Sequence, residues 1–181
     1  MIPLFDDFVG FKVLRFFCLK PGAEYNINEL AKKLKISPFS AKHYCDLLLK
    51  EGFVIMKAVG NQKRFSLNNA SIYVKQVKRA VALLFFKEKG IDSIAKGINS
   101  FAIYGSFADG SFRGNSDLDL IIIGDKAGFD ASQLSKFEKE INTEIQFTHY
   151  TYSKWASMKK EKHPFAEEIL QKHILITGVE L

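Results

Sequence analysis

Two short stretches of this chain carry residue types able to do chemistry. Gly105-Ser106 follows the apolar run Phe101 to Tyr104, so a backbone without a side chain and a hydroxyl arrive together at the end of a strand-like segment. A turn of that kind leaves N–H groups open to an anion, phosphate above all. Twelve residues after Gly105 comes Asp117-Leu118-Asp119, at the head of a second apolar run. The two-residue period of a strand sends both carboxylates to one face, while Leu118, Leu120 and Ile122 take the other. Left unpaired, the two carboxylates repel; oxygen-loving Mg²⁺ relieves the repulsion and bridges to phosphate. Gly-Ser alone is common, and Asp-x-Asp at a strand start often only meets water. Together at this spacing they predict a site for a cation-bound polyphosphate.

The elements that must position these groups follow from periodicity. After Gly90 the pattern is short strands alternating with helices. An amphipathic helix, Ser132 to Ile141, precedes the run Glu144 to Tyr150; Ser153 is placed to cap a helix containing Trp155 and Met158; His163-Pro164 opens another helix through Gln171, and Ile174 to Ile176 closes as a strand. His149, His163 and His173 stand at no metal-ligand spacing with an acid or cysteine, and no Ser-His-Asp order suggests a hydrolytic triad.

Gly105-Ser106, Gly110 and Ser116-Asp117-Leu118-Asp119-Leu120 resemble the signature of nucleotidyltransferases of the DNA polymerase beta superfamily, in particular its small prokaryotic members, the minimal nucleotidyltransferases. The resemblance covers about Ile91 to Gly178. It implies a mixed β-sheet with flanking helices, a nucleoside triphosphate held at Gly105, Ser106, Gly110 and Ser116, and Mg²⁺ held by Asp117 and Asp119, with two ions when nucleotide is bound. It also implies a third carboxylate on a neighbouring strand, for which Glu144 is the candidate, as metal ligand or as acceptor of the attacking hydroxyl's proton. Two positions depart from the family pattern: Asp109 where a basic residue often precedes the second glycine, and Phe112 where a small residue is common. Arg113 is the cation available in that loop for the triphosphate.

The first half has helical spacing. Phe8, Phe11, Val13, Leu14, Phe17 and Cys18 recur near the 3.6 period, and Lys20-Pro21-Gly22 ends the segment. Asn28 suits the cap of a short second helix with Leu30, Ala31 and Leu34 inward, and Ser37-Pro38 starts a third, ended by Gly52. Phe53 to Val59 and Lys63 to Leu67 read as a hairpin around Gly60-Asn61-Gln62. Tyr25 to Leu67 resembles a winged helix-turn-helix domain of the prokaryotic regulator type. The resemblance implies a recognition helix, Pro38 to Lys50, offering Phe39, Ser40, Lys42 and His43 to a major groove of double-stranded DNA, with Lys57, Lys63 and Arg64 on a wing facing phosphates. Ser71 to Lys89 reads as a linker helix with Ile72, Val77, Val81 and Leu84 on one face; apolar nearly all round at its far end, it also suits a homodimer seam.

The expected fold class is therefore α+β in two domains, a winged helix-turn-helix over 1–69 and a nucleotidyltransferase-like domain over 91–181, joined by a helix over 70–90. Charge divides the same way: residues 1–90 hold 16 Lys/Arg against 7 Asp/Glu, and residues 91–181 hold 10 against 13. A basic module that meets a polyanion and a mildly acidic one with other work fit that asymmetry. The longest apolar stretch, Ala80 to Phe86, falls far short of a membrane span, and the start, Met1 to Asp7, has acids where a secretory signal carries positive charge, so a cytoplasmic chain is expected. Cys18 and Cys45 lie amid apolar residues and read as buried free thiols.

Two functions follow. One is an enzyme moving a nucleoside monophosphate, AMP from ATP first, to an acceptor hydroxyl. The other is a DNA-binding regulator whose second domain has lost catalysis and senses nucleotide or mediates protein contacts. Minimal nucleotidyltransferases often act beside toxin partners, which by resemblance brings in a protein acceptor or toxin-like partner.

Overall fold

The first helix of the described residues, α1 (Val9–Leu19), forms because Val13, Phe17 and Cys18 fall on one side and are wholly buried there. The computed structural model describes residues 7–181; all but the last residue of the acidic start, Met1 to Asp7, lies outside the described residues. The second helix, α2 (Ile27–Leu34), is capped by Asn26 rather than by Asn28. Asn26 Oδ1 accepts from Glu29 N–H, and the Glu29 carboxylate accepts from Asn26 N–H, at 2.9 and 3.0 Å. That reciprocal pair satisfies two orphan donors, which a cap at Asn28, with Ala31 three residues on, cannot do. In α3 (Pro38–Lys50), Ser37 Oγ accepts from Ser40 N–H at 3.0 Å with proline in the first turn.

Strands β1 (Val54–Val59) and β2 (Gln62–Leu67) pair antiparallel from Val54↔Leu67 to Val59↔Gln62, leaving Gly60-Asn61 as the turn. Tyr25 adds a one-residue bridge to Phe65. Helix α4 (Ile72–Glu88) turns inward a face that only partly matches its spacing: Val81 is buried and Val77 packs against the core as expected, while Ile72 is exposed and Val74 and Lys78 are buried as well. Lys78 is 1% exposed, and its ammonium donates to Asn69 Oδ1 at 3.1 Å, as a buried charge requires polar partners.

The chain divides into two units, Met1–Ala82 and Leu83–Leu181. The second is built on a four-stranded mixed sheet of order β5-β4-β3-β6, made of β3 (Ser100–Tyr104), β4 (Leu118–Ile123), β5 (Ile145–Tyr150) and β6 (Ile174–Gly178). β3 runs antiparallel to β4 and β6, and β4 parallel to β5. A five-residue helix, α5 (Gly105–Asp109), follows β3; α6 (Ala131–Ile141) crosses from β4 to the parallel β5, and α7 (Tyr152–Lys160) and α8 (Pro164–Gln171) precede β6. Asp130 caps α6, and Thr151 caps α7 in place of the expected Ser153: Thr151 Oγ1 accepts from Lys154 N–H at 3.3 Å. One sheet face carries Ala102, Ile121 and Ile123, which pack with Trp155 and Met158 of α7 and Ala166 and Ile169 of α8. The two helices thus cover part of the face that also holds Asp117 and Asp119. Among the described residues no helix is long and apolar enough to cross a membrane. Both cysteines are buried free thiols.

Candidate active site

The antiparallel register of β3 and β4 opposes Tyr104 to Asp119, so the residue after Tyr104 arrives beside that carboxylate. This residue is Gly105, with φ +66°, and a Cβ built on it would overlap the Asp119 carboxylate. Only glycine accepts both the left-handed backbone and the close approach. Ser106 follows, half-buried. Asp117 and Asp119 are half-buried on the same strand face, while Leu118 and Leu120 between and beyond them are fully buried on the other. Asp119 and the turn that carries Ser106 therefore meet at one end of the sheet, with Asp117 two residues before Asp119.

The electrostatics register that meeting. Burial first, then the charges of Asp117 and Glu168, push the Asp119 carboxyl above its ordinary range. Burial likewise raises the Tyr104 phenol, against a 3.1 Å bond with Thr148 Oγ1 and with the added charge of Asp119. A pair of carboxylates that repel each other suits a hard divalent cation, with phosphate supplying the remaining oxygens. Of the carboxylates expected to hold Mg²⁺, Asp117 and Asp119 share one strand face. Glu144 is exposed just before β5, where its carbonyl accepts from Leu118 N–H at 2.8 Å. The register sets Glu144 beside Asp117, and Gln146 beside Asp119. Among the described residues no three His, Cys, Asp or Glu side chains converge as a ready-made metal set.

The loop between α5 and β4 uses its other expected residues differently. Gly110, at φ +77°, ends α5. Ser116 Oγ accepts from Arg113 N–H at 2.8 Å and so shapes the loop, while the Arg113 side chain is exposed. Phe112 turns inward and stacks on Phe107 at 4.1 Å, so its bulk lies in the core. A small cavity of about 170 Å³ opens at the turn, lined by Gly105, Ser106, Asp109, Ser111, Glu168 and Lys172 among others. Glu168 and Lys172 come from α8 and its C-cap. Sequence reasoning missed both. Their signal was the spacing of Glu168 and Lys172, one turn apart on a helix whose Ala166 and Ile169 point inward.

The family model described as Polymerase beta, Nucleotidyltransferase matches residues 89–179, half of the chain. The chain belongs to that family. No curated protein matches it. Its nucleotidyltransferase domain thus coincides with the unit that holds the acidic pair and the Gly-Ser turn, and nucleotidyl transfer is the chemistry of the family.

Residues expected to meet DNA lie in the first unit. Phe39 is 81% exposed, and His43 stacks parallel to it one turn on, with centroids 6.5 Å apart. Lys42 pairs with Asp46 along the helix, and the Ser40 hydroxyl accepts from that of Ser37. Lys57 pairs with Glu24 at 3.5 Å. Arg64 is committed within the fold: it donates to Glu29 at 3.0 Å and to the Glu24 carbonyl at 2.7 Å. Lys63 is exposed.

Proposed function

We propose that the chain transfers a nucleoside monophosphate, AMP from ATP first, to an acceptor hydroxyl. The observation that carries this reading is the approach of the Asp119 carboxylate to Gly105, with Asp117 on the same face and Ser106 next in the chain. Ser106 donates to the phosphates beyond the scissile bond, and Asp117 and Asp119 would hold Mg²⁺ there, two ions when nucleotide is bound. Bound Mg²⁺ would supply neutralisation of charge on the phosphates and on the departing pyrophosphate. The acceptor oxygen forms a bond to the α-phosphorus as the α–β bridge breaks, and pyrophosphate leaves with the bonding electrons. Glu144, beside Asp117, takes the acceptor's proton. Incubation with α-labelled nucleotides and Mg²⁺, alone and with cell extract, should label a macromolecule or small molecule and release pyrophosphate. Neither event with any nucleotide sinks the reading, as does unchanged transfer by Asp117→Asn.

The first unit supports a second activity, binding of double-stranded DNA by a winged helix. Its support is the positive charge of residues 1–90 and the exposed Phe39, His43 and Lys63. If the nucleotidyltransferase domain is catalytically silent, the same arrangement makes a DNA-binding regulator that senses nucleotide. Nucleotide binding without any transfer is the result that separates the two.

A further inference from the structure

The cavity at the Gly105 turn contains a cation that neither the motif nor the loop supplies. Asp109, just before Gly110, is acidic, and Arg113 is exposed and does not line the cavity. Lys172 does line it, reaching in from the end of α8, with Nζ 3.9 Å from Asp109 Oδ2. Several contacts hold the base of that lysine. Ala166 and Ile169 anchor α8 on the sheet, Lys172 N–H donates to the Ile169 carbonyl at 3.1 Å, and the next residue, His173, bonds both Ile169 O and Glu180. The backbone at Lys172 is therefore fixed, and its side chain, exposed to solvent along much of its length, lines the same cavity as Ser106 and Ser111.

We propose that Lys172 is the phosphate-binding cation of this site, contacting the terminal phosphates of the nucleotide, with Asp109 as the positioning residue that holds it there. This rests on the nucleotidyl-transfer reading above. At about 170 Å³ the cavity is smaller than sites that enclose a whole ligand, and it suits the end of a polyphosphate rather than a base. Its walls combine an ammonium and two hydroxyls with the carboxylates of Asp109 and Glu168. A bare polyphosphate meets repulsion from those carboxylates, whereas one carrying a divalent cation satisfies both kinds of wall. A lysine here acts as a point charge, free to release Asp109 when phosphate arrives.

The test measures binding of Mg-ATP and of AMP by titration calorimetry on the full chain, with thermal melts to confirm folding. Lys172→Gln should weaken Mg-ATP by about ten- to a hundredfold, the range of one charge-assisted hydrogen bond, and leave AMP unchanged because AMP lacks the terminal phosphates. Adding Asp109→Arg to that variant returns a cation to the same cavity and should restore most of the Mg-ATP affinity. Equal Mg-ATP binding by wild type and Lys172→Gln, equal losses for AMP and Mg-ATP, or no recovery in a folded double variant overturns the assignment to Lys172 alone. A wild-type protein that binds no nucleotide overturns the nucleotidyl-transfer reading and this one with it.

Discussion

At the scale of single residues, Gly105 is the most constrained position of the site. Its φ of +66° and the neighbouring Asp119 carboxylate both exclude a side chain. Gly105→Ala should cost about 1–3 kcal/mol of stability, the size of one strained backbone residue, and should abolish transfer as well, because Asp119 must move to make room. A thermal melt and a transfer assay on one preparation check both. Cys18 and Cys45 make a quieter prediction. Burial pushes both thiols up to about 12, so each stays protonated near neutral pH, where only the thiolate is a nucleophile. Native protein at pH 8 should resist alkylation that denatured protein accepts at two sites; rapid native labelling would contradict the buried placement. The acidic pair was legible in the sequence because strand alternation is local: Asp117 and Asp119 share a face wherever the strand goes. Lys172 was not legible, because its relation to Asp109 depends on α8 lying across the sheet, a contact between residues 63 positions apart.

At the scale of elements, helix existence could be read more safely than helix ends. Asn26 and Asn28 both qualify as caps for α2, and so do Thr151 and Ser153 for α7; in α2 which one serves is decided by what lies three residues on. Asn26 wins because Glu29 answers it. The inward face of α4 was legible only in part, at Val77 and Val81, for a related reason: a helix apolar nearly all round offers several faces, and the buried Lys78 gives no apolar signal for its own. The capping box has a consequence for acid stability. The bond from Asn26 N–H, aided by Arg64, holds the Glu29 carboxyl below the ordinary glutamate range. A group depressed in the folded state contributes stability that is present above its unfolded pKa and lost as pH falls through the folded one. Amide hydrogen exchange in α2 should therefore quicken as pH drops below about 4.3, after correction for intrinsic rates, and Glu29→Gln should flatten that dependence. Protection with the same pH dependence in both proteins would show that the box contributes nothing.

At the scale of the whole molecule, the two proposed activities fall on separate units, so each should be removable without the other. Asp117→Asn removes a carboxylate from the second unit and leaves the basic surface of the first untouched, so it should end transfer while DNA affinity stays the same. Affinity for duplex should fall linearly on a logarithmic salt scale, with a slope that counts neutralised phosphates. The individual cations then sort by what already holds them. Lys63 is exposed, so Lys63→Ala should reduce the slope by about one. Arg64 spends its charge on Glu29 and on the Glu24 carbonyl, tying β2 to the start of α2. Arg64→Ala should leave the slope unchanged and instead loosen α2, read as faster hydrogen exchange there. A slope that drops with Arg64→Ala and not with Lys63→Ala would mean that the arginine abandons its carboxylate for phosphate. The pairing seen in the free protein would then be a resting state of the wing, and not the reason for its shape.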